Sequence, residues 1–329
     1  MPTSDHNLAT EKAKVTMRDN SSRRDFLKRL GALSIVGATA DQLRAASSAP
    51  SNQGQLPSIK FGKYSLSRLI CGANPFNGGS HLSTFVNQQM KEYYTPEQIL
   101  KTLRRCQEVG INCWQSSGQN GQLYQRFVEE GGKMHYLSLG YQPQDIEEIV
   151  KAGAIGIAHH GEYTDRMFKA GQLDNIHDYL KRVRDAGLMV GVSTHMPAVV
   201  DAIEDKGWDI DFYMTCVYER HRTAAELEAL LGQAPIPVGE VYLPNDPPRM
   251  FKAIRSTRKP CLAFKILAAG RLSERKAWVE KAFRETFESI KSGDAVIVGI
   301  YDRYSDQPAE DAEYTARLRF AQPQPKYRH

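Results

Sequence analysis

From Ser67 to Leu318 the chain repeats one unit: a short apolar run with β-branched residues, a polar loop, an amphipathic helical stretch and, in most units, a closing glycine. The apolar runs are SRLICGAN, INCWQSSG, MHYLSLGY, AIGIAHHG, LMVGVSTH, DFYMTCVYE, PCLAFKIL and DAVIVGIY. Between them lie helical stretches such as TPEQILKTLRRCQEVG (95–110), with Thr95 as N-cap and Pro96 at the first helical position, IHDYLKRVRDAG, ERKAWVEKAFRETFESIK and QPAEDAEYTARLR. Alternating strands and helices specify a parallel sheet, and eight such units specify an α/β fold closed as a (β/α)8 TIM barrel spanning residues 67–329, after a lead-in at 50–66. A doubly wound open sheet competes with it, but no G-x-G-x-x-G follows the first run. With 329 residues, 41% of them hydrophobic, the chain can bury such a core without disulfide or metal staples.

Residues 1–49 read differently. The stretch SSRRDFLKRLGALSIVGATADQLRAASSAP joins paired arginines to an apolar segment too short to cross a bilayer, followed by small residues. It resembles a twin-arginine export signal at Ser22, Arg23, Arg24, Phe26, Leu27 and Lys28. That resemblance implies recognition by the twin-arginine export machinery, cleavage between Ala40 and Ala49, and a periplasmic or otherwise exported chain with no stable membrane anchor. A basic arm that binds an acidic partner is the competing reading.

Cleavage changes the charge. The net +5 contains eight Lys/Arg and five Asp/Glu from residues 1–46, so the remainder carries 35 against 33, or +2. No nucleic-acid partner follows from so small an excess. The five cysteines, Cys71, Cys106, Cys113, Cys216 and Cys261, form no C-x-x-C pair and lie mostly in apolar runs, as small buried thiols do. Because the twin-arginine route carries folded proteins, a reduced core and a preloaded cofactor both suit it.

In a barrel, function belongs to the C-terminal ends of the strands. Taking large apolar residues as helix-facing, strand alternation directs His160 inward and His159 outward, and sends His195 into the barrel mouth. The same rule puts Phe212, Met214, Leu262 and Phe264 outside, and Tyr213, Glu219, Cys261, Ala263 and Lys265 inside. His160, His195, Glu219 and Lys265 then share one mouth. His160, His195 and Glu219 could hold a divalent metal with open positions. Without metal, His160 or His195 could move protons while Lys265 pairs with an oxyanion or forms a Schiff base. A strand-end histidine is also a common hydrogen-bonded structural group, whereas an inward lysine is costly to bury without a purpose.

Four segments resemble aldo/keto reductases: SLSRLICGANPFNGG, GINCWQSSGQNG, IGIAHH and DAVIVGIYDRYSDQPAEDAEYTARL. The resemblance implies a (β/α)8 barrel, an NADP cofactor and a catalytic histidine at His159 or His160. It also puts the family's aspartate on Gln115, its tyrosine on Asn120 and its lysine on Leu139 or Gly140, so most of the catalytic tetrad is missing. Arg303 and Arg317 are the cations left for a cofactor phosphate.

Two long connections, PFNGGSHLSTFVNQQMKEYY and RHRTAAELEALLGQAPIPVGEVYLPNDPP, follow the first and sixth strands, where loops cover substrate or form oligomer contacts. Asn74, Asn77, His81, Gln115, Tyr213 and Glu219 are the candidate substrate-binding groups, with amide and aromatic chemistry suited to a polyhydroxylated small molecule. Three functions are compatible with this sequence. One is acid/base, lyase- or isomerase-type chemistry on a carbohydrate-like or hydroxycarbonyl substrate using Lys265, His160 and His195. The others are NADP-linked reduction and ligand binding without catalysis.

Overall fold

In the computed structural model, residues 56–236 and 240–318 are described. The segment resembling an export signal, and its cleavage region, lie outside them. Eight parallel strands form a closed barrel in the order β10-β3-β4-β5-β6-β7-β8-β9. The strands are β3 (Leu69–Gly72), β4 (Cys113–Ser117), β5 (His135–Gly140), β6 (Gly156–His159), β7 (Met189–Thr194), β8 (Phe212–Cys216), β9 (Cys261–Phe264) and β10 (Ala295–Gly299). Each falls in one of the eight apolar runs, and the open-sheet alternative is excluded by the pairing of β10 with β3. Among the described residues, no helix is long and apolar enough to cross a membrane.

Local sequence explains the elements. The helix Pro96–Glu108 starts where the Thr95 hydroxyl accepts from the Gln98 N–H, and its exit passes through Gly110 at φ 92°. Helix Lys276–Ser289 and helix Gln307–Arg317 occupy the two last helical stretches. All five cysteines are free and buried.

The lead-in is a hairpin, β1 (Ser58–Phe61) paired antiparallel with β2 (Tyr64–Ser67). Ile59, Phe61 and Leu66 join Ile70, Leu137, Ala158, Phe212, Met214, Leu262 and Ile297 in one interior cluster, with Phe61 and Phe212 ring centroids 4.8 Å apart. The hairpin therefore packs into the barrel interior alongside the strands' inward side chains.

That cluster corrects the inward list for two strands. Phe212 and Met214 of β8, and Leu262 and Phe264 of β9, face the interior rather than the helices. Tyr213 faces outward, donating its hydroxyl to Glu204 of helix Pro197–Lys206 at 2.7 Å, and Cys261 and Ala263 pack in the outer core. The physical reason is complementary size. A Cβ on Gly191 would collide with the Phe212 ring, so a glycine on β7 makes the room that a phenylalanine on β8 fills. Small-in, large-out holds for β6 and β7, where Val190 and Val192 pack outward, and reverses next door.

Candidate active site

Two groups of polar side chains meet at the C-terminal mouth. The first is built on β7 and the helix Gly161–Lys169. His195, one residue past β7, is buried, and its Nδ1 lies 2.7 Å from Asp165 Oδ2. Asp165 is fully buried and doubly anchored: Thr194 Oγ1 donates to Oδ1 at 2.5 Å, and the His195 backbone N–H donates to Oδ2 at 3.1 Å. Gly161 permits this approach, since a Cβ there would stand 2.9 Å from Ser193 Oγ and 3.2 Å from His195 Cε1. His221, in the loop after β8, completes the group with Nε2 3.7 Å from Asp165 Oδ2 and its ring edge-on to His195. The ligand atoms of Asp165, His195 and His221 lie within 4.8 Å of one another.

Burial sets the charge of these rings. It pushes the His195 imidazole down, against the opposing pull of Asp165, and pushes His221 down with help from neighbouring His195. Both are neutral imidazoles near pH 7, able to accept a proton or a cation.

The second group centres on Glu240. Lys265 Nζ donates to Glu240 Oε1 at 2.7 Å, and the Tyr218 hydroxyl donates to the same oxygen. His81 Nδ1 at 3.0 Å and Arg220 Nε at 3.1 Å approach Oε2 without an aligned hydrogen bond. Arg271 donates to the Glu240 carbonyl at 2.7 Å. Burial alone would raise the Glu240 carboxyl, but His81, Lys265 and Tyr218 outweigh it and hold it well below the usual carboxylate range. Burial, then Cys216 and Glu240, pushes the Tyr218 hydroxyl up, so it keeps its proton. Two cations, Lys265 and Arg220, face the Glu240 carboxylate, and Arg220 also lies 3.6 Å from Glu162.

Backbone strain gathers at the same place. The non-glycine residues with φ in the left-handed region, among those described, are His81, Lys265, Ala268 and Ala269, all on connections that follow β3 and β9. Such conformations cost about 1–3 kcal/mol each and cluster at sites where geometry is imposed by function. Lys265 shows the use of it. Strand alternation past inward Phe264 would point Lys265 outward; φ 60° turns the chain, and its amine ends buried beside Glu240.

The remaining candidates fall in different places. His160 is half-buried, its Nδ1 accepts from the Glu162 N–H at 3.3 Å, and its ring packs edge-on to Tyr141 and Tyr163. Burial lowers it too. His159 turns outward, bonded to Thr164 at 2.7 Å and edge-on to Tyr179. Glu219 does not join the imidazoles: its Oε2 is taken by Arg222 at 3.2 Å and Arg249 at 2.9 Å, so the metal group His160, His195, Glu219 is not assembled. Tyr213 lies outside the barrel, as above. Gln115 is buried and bonded to the Ser116 carbonyl, while Asn74 and Asn77 are exposed, Asn77 accepting from Asn120 at 3.3 Å. Of the proposed phosphate cations, Arg303 stacks over Tyr304 and Arg317 pairs with Glu313.

Sequence reasoning missed Asp165, His221, Arg220 and Glu240. Asp165 stands five residues past His160, at the middle of the helix Gly161–Lys169, and Arg220 and His221 directly follow the sixth run, at the start of its long connection. The gap that touches His195, Tyr218 and Glu219 is too narrow to admit a water molecule. A larger groove of about 440 Å³ between Tyr93 and Arg303 shares no residue with either group.

No protein-family model matches the sequence, and no curated protein matches it. Among solved structures, a Pseudomonas aeruginosa protein provisionally assigned as an aldo-keto reductase aligns with TM-score 0.51 and 14% identity, covering 83% of this chain and 99% of its own. A second structure of an aldo-keto reductase from that organism, assigned with the same reserve, gives TM-score 0.52 and 13% identity over 81% of this chain and 98% of its own. At such identity the likeness is one of fold.

Proposed function

We propose that the protein is an enzyme whose barrel mouth carries out proton-transfer chemistry, of the lyase or isomerase kind, on a small hydroxycarbonyl or carbohydrate-like substrate. The observation that carries this reading is the buried contact of His195 Nδ1 with Asp165 Oδ2 at 2.7 Å, in a mouth that also holds Lys265. A carboxylate on Nδ1 fixes the ring and leaves Nε2 as the base, and burial keeps the ring neutral. The proton leaves a C–H bond beside the substrate carbonyl, and the electron pair moves onto the carbonyl oxygen. Lys265 and Arg220 stabilise the charge that develops there. Return of the proton to the neighbouring carbon gives isomerisation; loss of a β-hydroxyl gives a lyase. The sequence at Ser22–Lys28 supports export by the twin-arginine machinery as the setting for this activity.

The test is solvent-deuterium incorporation into a panel of hydroxyketones, aldoses and uronic acids, read by NMR with the purified full chain. Exchange by the wild type that is lost in His195→Gln supports the reading. Equal exchange in a folded His195→Gln protein contradicts it.

NADP-linked reduction is the second reading, favoured by one observation. Tyr218, Lys265, Glu240 and His81 bring together the residue types of the aldo/keto reductase tetrad, a tyrosine, a lysine, an acid and a histidine, from different loops. Against it, the Tyr218 hydroxyl is pushed up and donates its hydrogen bond to Glu240, whereas a carbonyl-reducing tyrosine must release a proton to substrate. Fluorescence titration with NADPH decides: no binding removes this reading.

A further inference from the structure

We propose that Asp165, His195 and His221 form a binding site for one divalent first-row transition-metal ion, such as Zn²⁺, Mn²⁺ or Co²⁺, at the barrel mouth. Two imidazoles and a carboxylate from β7, the following helix and the β8 loop bring ligand atoms within 4.8 Å of one another. That donor set, with further positions left for water or substrate, is the one divalent zinc and iron take in catalytic sites.

An independent observation points the same way. The His221 Nε2 atom is buried and has no hydrogen-bond partner, although its side chain is about a quarter exposed, and it lies 3.7 Å from Asp165 Oδ2, too far for a hydrogen bond. A buried polar nitrogen without a partner is costly, and an ion between it and the carboxylate would satisfy it. The surroundings are those of a supported ligand set: Asp165 is oriented by Thr194 Oγ1 at 2.5 Å and by the His195 N–H at 3.1 Å. The 2.7 Å separation of His195 Nδ1 from Asp165 Oδ2 is that of a hydrogen bond; ligands about 2.0–2.1 Å from one ion stand about 3.3 Å apart, so the ion would replace the shared proton and part the two atoms by a few tenths of an ångström.

The inference rests on the proposed function only for the use of the site: with an ion bound, His195 would be a ligand and no longer the base, and a metal-bound water would supply the proton acceptor in its place. Lys265 and Arg220 stand ready to neutralise the oxygen of a substrate held between the two groups.

The experiment is Co²⁺ titration of the full chain after chelator treatment, followed by calorimetry and by the visible absorption of the ion, with folding checked by circular dichroism. One equivalent is expected, weakened 10- to 100-fold or more in His221→Ala and in the isosteric Asp165→Asn, and unchanged in His177→Ala, whose ring stacks on Trp208 away from the site. No stoichiometric uptake by the wild type, or uptake unchanged in both ligand variants, overturns the inference. Full proton exchange by protein that takes up no Co²⁺ overturns the metal and leaves the proposed function standing. Uptake that follows the ligand variants, without exchange on any substrate of the panel, supports the metal site and removes the proposed function.

Discussion

Lys265 and Glu240 form a buried ion pair, Nζ to Oε1 at 2.7 Å, with both side chains less than a tenth exposed. The carboxylate also faces Arg220 and the Tyr218 hydroxyl, so removing its charge leaves two cations confronting each other. Glu240→Gln is expected to destabilise the fold by about 3 kcal/mol, measured by urea unfolding, because a buried charge loses its partner. Lys265→Met should cost less, since Arg220 and His81 still face Glu240.

The same carboxylate sets an acid limit. Glu240 is held below its ordinary value, so its contribution is complete above the unfolded value of about 4.3 and is lost as pH falls beneath it. Unfolding followed from pH 6 to pH 3 should show a shallower decline for Glu240→Gln than for the wild type.

Asp311 acts in the opposite direction. It is buried in helix Gln307–Arg317, and burial, then nearby Glu310, pushes its carboxyl up to about 8. The folded chain keeps this proton where the unfolded chain has lost it, so stability falls as pH rises from about 4 towards 8, by up to about 1.4 kcal/mol per pH unit. Asp311→Asn should raise the melting temperature at pH 8 and change it little at pH 4. An equal shift at both values would contradict the assignment.

Gly191 and Phe212 share one space across β7 and β8. Gly191→Ala is expected to cost about 1–3 kcal/mol by overpacking, and Phe212→Leu in the same chain should recover part of it. Thermal unfolding of the single and double variants measures the coupling.

Much of the barrel was legible because eight apolar runs separated by capped amphipathic stretches repeat a local pattern, and the pattern alone sets strand order. His195 was legible too, since β7 alternates regularly up to it. Tyr213 was not, because helix-facing and interior layers of β8 both accept large side chains once Gly191 clears room. Lys265 reaches the mouth by a left-handed turn that alternation cannot foresee. Asp165 sits at the middle of a short helix, and His221 and Glu240 in a long loop, where side-chain direction follows tertiary packing; nothing periodic marks them.

The most direct test of the central claim is the rate of solvent-deuterium incorporation at the carbon beside the carbonyl, on the best substrate of the panel, in wild type, His195→Gln and Lys265→Met. Losses of about 10²–10⁴-fold for His195→Gln and about 10²–10³-fold for Lys265→Met, in folded protein, are the predicted result. Exchange that proceeds at the wild-type rate in both variants would place the chemistry elsewhere and contradict the account.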